Sequence, residues 1–132
     1  MARDSEADDR RYDAGGTTPD GQLLPFAKAL GRELRMRSEL DPLLDDARWM
    51  ILLDIYLAMG EAREIPFMSA AHASRVAVST AQRYIHEMID AGLIEQHRSG
   101  ADQRITHVSL TGAGIGLVQK MLSDAAALRA RR

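Results

Sequence analysis

The sequence predicts a mainly α-helical domain carrying one small β-hairpin, and three observations predict it. Apolar residues recur at helical spacing through most of the chain, the period changes to strand-like alternation only between Leu93 and Leu110, and turn formers stand where the pattern breaks. A length of 132 residues fits one domain, and a hydrophobic content of 45% can supply its core. Aromatic residues make up only 5%, so that core must be built from Leu, Ile, Val, Met and Ala.

Residues 1–22 hold six acidic residues and three arginines, with Tyr12 as their one large apolar side chain. Such a segment cannot offset its own ordering entropy, which predicts a flexible acidic tail ahead of a single domain over residues 23–132. A first helix is expected near Leu24, with Pro25 in the first turn, where a missing N–H costs little. Leu23, Ala27, Leu30 and Leu34 form its apolar stripe, Lys28, Arg32 and Arg35 lie on another face, and Asp41-Pro42 ends it. A second helix should run from about Asp45 to Met59 and stop at Gly60, burying Ile51, Leu52, Ile55, Tyr56 and Met59. After Pro66, Ser69 is the expected N-cap of a short helix over Ala70 to Ser74. Arg75 to Val78 reads as a turn, and Ser79 as the cap of a helix that continues to Ala91 and ends at Gly92. Leu93 to His97 reads as a strand, residues 98–102 as a turn, and Arg104 to Leu110 as the returning strand, with Thr106, Val108 and Leu110 on one face. Thr111 should cap a last helix in which Ile115, Val118, Leu122 and Ala125 repeat at helical spacing, its start weakened by glycines.

Helix, short helix, turn, helix and hairpin, in that order, make a winged helix-turn-helix. In the helix after the turn, Ala81, Ile85, Met88 and Ile89 form an apolar face, while Ser79, Gln82, Arg83 and His86 share the opposite one. On an isolated helix that second face would be only a solvated surface. Between a short helix and a hairpin it becomes a set of donor-rich side chains able to reach base edges and phosphates in the major groove of double-stranded DNA.

Two strings carry a further resemblance. One is Ser79-Thr80-Ala81-Gln82-Arg83 followed by Met88-Ile89-Asp90-Ala91-Gly92-Leu93-Ile94-Glu95, and the other is Asp102-Gln103-Arg104 followed by Val108-Ser109-Leu110-Thr111. At this spacing, residues 45 to 120 resemble the MarR family of bacterial winged-helix transcription regulators. The resemblance implies that Ser79, Thr80, Gln82 and Arg83 face the major groove; His86 joins them as a DNA-binding candidate because it shares their helix face. The resemblance places Arg104 of the wing, residues 98–104, at the minor groove, with Asp102 holding it in place; Arg98 and Gln103 of the same wing are further DNA-binding candidates. It also implies a DNA-binding module over residues 45–111 and a homodimer built from helices at 23–40 and 112–132. A small-molecule or protein effector is implied as a class, without an identity. The chain departs from the family at Gln103, where a second Arg is frequent, and at Gly112-Ala113-Gly114, where Pro-Lys-Gly is usual.

Charge qualifies the DNA reading. The net charge is −2, and from Pro66 to Thr111 four arginines stand against four acidic residues. Counterion release rewards cationic surfaces, so the alternative is a winged-helix module that binds protein and not DNA. All four histidines, His72, His86, His97 and His107, fall in the same stretch. Those that face DNA would add positive charge on protonation, giving tighter binding at pH 6 than at pH 8; for His97 and His107 a plain strand position is the preferred reading.

Other chemistry finds no support. The absence of Cys excludes disulfides, thiol catalysis and Cys-based zinc sites. The histidines lack close metal-ligand spacing, and the glycine run after Thr111 lacks the dinucleotide-binding spacing. No nucleophile and base can be paired, so no enzyme, cofactor or metal is expected. The most apolar stretch, Trp49 to Gly60, is interrupted by Asp54 and falls short of the roughly 20 residues that span a bilayer. With no signal-peptide core at the N-terminus, the expected location is cytoplasmic and away from membranes.

Overall fold

Caps and apolar period place the helices. In the computed structural model, which describes residues 18–98 and 100–131, a 3-10 turn at Gly21–Leu23 leads into α1 (Leu24–Leu40). Pro25 lies in the first turn of α1, and extended Asp41 ends the helix. Most of the expected tail, residues 1–17, lies outside the described residues, as do Ser99 of the wing and Arg132. Helix α2 (Asp46–Gly60) is capped by Asp45, whose carboxylate accepts the Arg48 backbone N–H at 3.0 Å.

The end of α2 differs from the expected stop. Gly60 remains helical, and the reversal falls on Ala62, whose φ is 56°. Ala62 N donates to Met59 O and Arg63 N to Ala58 O, the paired bonds of a Schellman closure. Gly92 closes the later helix with the same two bonds, at φ 79°.

Strand β1 (Ile65–Pro66) follows, then α3 (Phe67–Ala73), α4 (Val78–Asp90), β2 (Ile94–His97), β3 (His107–Leu110) and α5 (Gly112–Ala130). The sheet is antiparallel with order β1-β3-β2, and Ile65 stands opposite Val108 while His97 stands opposite His107. The expected hairpin is therefore the larger part of a three-stranded sheet. Helix α3 starts earlier than the Ser69 cap implied. Phe67 N donates to Thr106 O at 2.8 Å, so the sheet satisfies a first-turn donor and no side-chain cap is present. Ser79 likewise is not a cap: α4 begins at Val78 after extended Ala77, and Ser79 lies inside the first turn. β3 begins at His107, because Arg104 N and Ile105 N are engaged by Asp102 in the turn.

Thr111 does cap α5, accepting Gly114 N at 3.1 Å while its hydroxyl donates to Gly92 O at 2.6 Å. Gly114 has a packing role at this point. A Cβ there would collide with the Leu93 carbonyl oxygen, so the glycine lets α5 lie against the entry to β2.

The core joins Trp49, Ile51, Leu52 and Ile55 of α2 to Ala81 and Ile85 of α4, Ile94 and Val108 of the sheet, and Val118 of α5. Of the expected α2 stripe, Tyr56 is only half-buried and Met59 is exposed, its sulfur accepting Leu110 N at 3.3 Å; Trp49 and Ala58 are buried in their stead. Helix α1 contributes no buried residue. It lies along α5, joined by Arg129 Nε to Glu33 Oε1 at 2.6 Å, and leaves Leu23, Leu24, Phe26, Leu30 and Leu34 exposed. No helix among the described residues is long and apolar enough to cross a membrane.

Candidate nucleic-acid interface

Helix α4 is strongly two-sided. Ala81, Ile85 and Met88 are buried on one side, Ser79, Arg83 and His86 are exposed on the other, and Thr80 and Gln82 are half-exposed. The predicted donors therefore share one accessible face. Helix α3 supports two of them. Gln82 Nε2 lies 3.1 Å from the Met68 sulfur, and the His86 ring lies 5.1 Å from that of Phe67.

A charged cluster joins this helix to α2. Arg48 Nη1 donates to Asp45 at 2.8 Å and Nη2 to Glu87 at 2.7 Å, while its guanidinium sits 3.6 Å above the Tyr84 ring. Burial opposes the Arg48 charge, but the carboxylates of Glu87 and Asp45 outweigh it and raise the guanidinium above its ordinary range. Arg83, one turn before Glu87, keeps its Nε 3.9 Å from the other carboxylate oxygen, too far for a hydrogen bond.

The wing is set by Asp102. Its carboxylate accepts Arg104 Nε at 3.0 Å, Arg104 Nη2 at 3.1 Å and the Arg104 backbone N–H at 3.0 Å. The Arg104 side chain, followed by its backbone N–H, holds the Asp102 carboxyl below the usual carboxylate range. Arg104 nevertheless projects into solvent, with 91% of its side chain exposed. Gln103 Nε2 donates to Gly100 O at 3.0 Å, across a turn in which Gly100 takes φ 82°, and Arg98 is exposed where β2 ends. At the root of the wing the His97 and His107 rings stack 5.9 Å apart, and His107 Nε2 lies 3.4 Å from Glu64. His107 is buried and His97 half-buried, both in strands, so His72 and His86 are the exposed histidines of the four. Among the described residues no group of three or more His, Asp and Glu is arranged to hold a metal ion.

Two open grooves flank α1. One of about 330 Å³ runs between α1 and α5, lined by Arg32, Arg35, Met36, Leu128 and Arg131 among others. The other, about 500 Å³, lies between α1 and the start of α2, where Leu34, Arg37, Leu44, Asp46 and Trp49 meet.

The structure thus brings Ser79, Thr80, Gln82, Arg83 and His86 onto one face, and Arg98, Gln103 and Arg104 onto the wing with Asp102 behind Arg104. Sequence reasoning missed Arg48, Tyr84 and Glu87. The four-residue step from Arg83 to Glu87 was a readable signal of an ion pair on one helix face. The approach of Arg48 from 39 residues away was not.

No protein-family model matches the sequence, and no curated protein sequence does. Solved structures do match in shape. The DNA complex of MepR, a transcription regulator of Staphylococcus aureus, superposes with a TM-score of 0.68 at 16% identity over 82% of this chain and 78% of that one. MepR bound to ethidium bromide gives 0.70 at 16% identity over 86% and 79%. BpsR of Bordetella bronchiseptica, whose DNA binding is regulated by 6-hydroxynicotinic acid, gives 0.54 at 19% identity over 86% and 82%. At these identities the likeness is one of fold: the chain has the MarR-type winged-helix fold that its two sequence strings resemble.

Proposed function

We propose that this chain is a sequence-specific, double-stranded DNA-binding transcription regulator that acts as a homodimer. In this reading α4 enters the major groove with Ser79, Thr80, Gln82, Arg83 and His86, and the wing reaches the minor groove with Arg98, Gln103 and Arg104. One observation carries it: the chain has both a donor-rich, exposed helix face and a wing whose exposed Arg104 is fixed by a bidentate carboxylate. Narrow minor grooves attract an inserted Arg, and a pre-oriented guanidinium loses less freedom on entering one. That a neighbour in fold was crystallised on DNA supports the same reading.

The dimer follows from α1. Its exposed Phe26, Leu30 and Leu34, with Leu23 of the preceding turn, form an apolar face that the other described residues leave uncovered, and a second copy related by two-fold symmetry would bury it. A dimer also supplies two recognition helices for a pseudo-palindromic site. A small-molecule effector belongs to the reading because two of the neighbours in fold are described with small molecules, ethidium and 6-hydroxynicotinic acid. The protein works in the cytoplasm by binding, without catalysis.

The second reading, a protein-binding module, is favoured by one observation: the arginines of α4 and the wing have carboxylates beside them, Glu87 near Arg83 and Asp102 on Arg104. Selection from random duplex DNA followed by sequencing separates the two. The first reading expects a two-fold symmetric motif that is lost in a protein carrying Arg83→Ala and Arg104→Ala. A folded wild-type protein that enriches nothing transfers the assignment to protein binding.

A further inference from the structure

Arg83 and Arg48 share one acidic neighbour on unequal terms. Glu87 Oε2 is bonded to Arg48 at 2.7 Å, whereas its other oxygen stands 3.9 Å from Arg83 Nε. Tyr84 shows the same ranking, with the Arg48 guanidinium 3.6 Å from the ring centre and that of Arg83 at 5.6 Å. The Arg48 side chain is 18% exposed and anchored at Asp45 as well, while that of Arg83 is 66% exposed. Arg48 is therefore a fixture between α2 and α4, and Arg83 is the surface cation.

From this geometry we propose that Arg48 is a positioning residue for DNA contact: by engaging Glu87 it leaves Arg83 available to the nucleic acid. The inference rests on the DNA-binding reading above. Its physical basis is a competition for one carboxylate. An exposed Arg83–Glu87 pair four residues apart is weak, but it must be broken when Arg83 turns to a phosphate or a base edge. With Arg48 bound to Glu87, the carboxylate is already compensated and little is lost when Arg83 leaves. Without Arg48, Glu87 has Arg83 as its nearest cation and adds an uncompensated negative charge to the helix that faces DNA. The module is formally neutral from Pro66 to Thr111, so one such charge weighs heavily in its electrostatic attraction to DNA.

The test measures the affinity of the full chain for a duplex carrying its selected site across a range of salt, with circular dichroism to confirm folding. Arg48→Ala is expected to weaken binding about tenfold and to lower the magnitude of the salt slope by about one, as for the loss of one phosphate contact. Adding Glu87→Gln to Arg48→Ala should restore most of the affinity, while Glu87→Gln alone should bind at least as well as wild type. Arg48→Gln keeps much of the side chain's length and guards against a folding defect in the alanine variant; it should show the same loss and the same rescue. If the double variant binds as weakly as Arg48→Ala, Arg48 serves only to tie α4 to α2 and the proposal is overturned. Wild-type affinity in Arg48→Ala overturns it as well. If the wild-type chain selects no DNA at all, the DNA-binding reading fails first, and the inference with it.

Discussion

Ala62 occupies a left-handed backbone position that usually falls to glycine, since a Cβ there crowds the neighbouring carbonyl. Gly92, in the same motif at the end of α4, shows the unstrained solution. Ala62→Gly should therefore stabilise the fold by about 0.5–1 kcal/mol, after allowance for the greater chain entropy of glycine. The check is the midpoint of urea unfolding; a midpoint equal to or below wild type would show that the turn carries no strain. Asp102 illustrates a different economy of the single residue. Its pair with Arg104 is too exposed to matter much to the fold, and its consequence is directional, in where the guanidinium points.

Among the elements, the pairing of α1 with α5 couples to pH through one carboxyl. Two hydrogen bonds from Arg129, at 2.6 and 3.3 Å, hold the Glu33 carboxyl below the usual carboxylate range against the opposing effect of burial. A carboxyl depressed in the folded state contributes stability that is full above the unfolded pKa of about 4.3 and is lost as pH falls through the lower folded value. Glu33→Gln should thus lower the thermal midpoint slightly at pH 7, by well under ~1 kcal/mol for so exposed a partner, and the gap should close as pH falls below the depressed folded pKa. A gap independent of pH would assign the effect to lost packing. The helices were legible because their signals are local: Pro25, Asp41, Thr111 and Gly92 mark ends in the sequence as they do in space. Strand β1 was illegible because it has two residues and exists only through its pairing with β3. The bond from Phe67 N to Thr106 O, just ahead of β3, also moved the start of α3, since a donor satisfied by a distant segment needs no nearby serine. The donor face of α4 was readable from its period alone, whereas the Arg48–Glu87 bridge depends on how α2 and α4 pack.

At the scale of the whole molecule, the exposed apolar stripe of α1 is separate from the face of α4 and the wing. The stretch from Pro66 to Thr111 is formally neutral, while Leu24, Phe26, Leu30 and Leu34 stand exposed together on α1, outside the core. In the proposed dimer, Leu30→Glu with Leu34→Glu should convert the sedimenting species from two chains to one and reduce DNA affinity by more than tenfold, because each half-site then binds alone. An unchanged sedimentation coefficient would place the dimer contact elsewhere.

Trp49 has a practical consequence. It is the only tryptophan in the chain, it is 1% exposed, and its ring N–H is buried with no hydrogen-bond partner among the described residues. The native indole fluorescence is therefore that of one ring shielded from water, so tryptophan-selective excitation should show emission shifting to longer wavelength on unfolding with no second indole to mask it. Because the same ring borders the groove between α1 and α2 and directly follows Arg48 in the chain, a molecule that settles in that groove should change the quantum yield of the unlabelled protein. A titration read in this way turns the search for an effector into a simple optical screen.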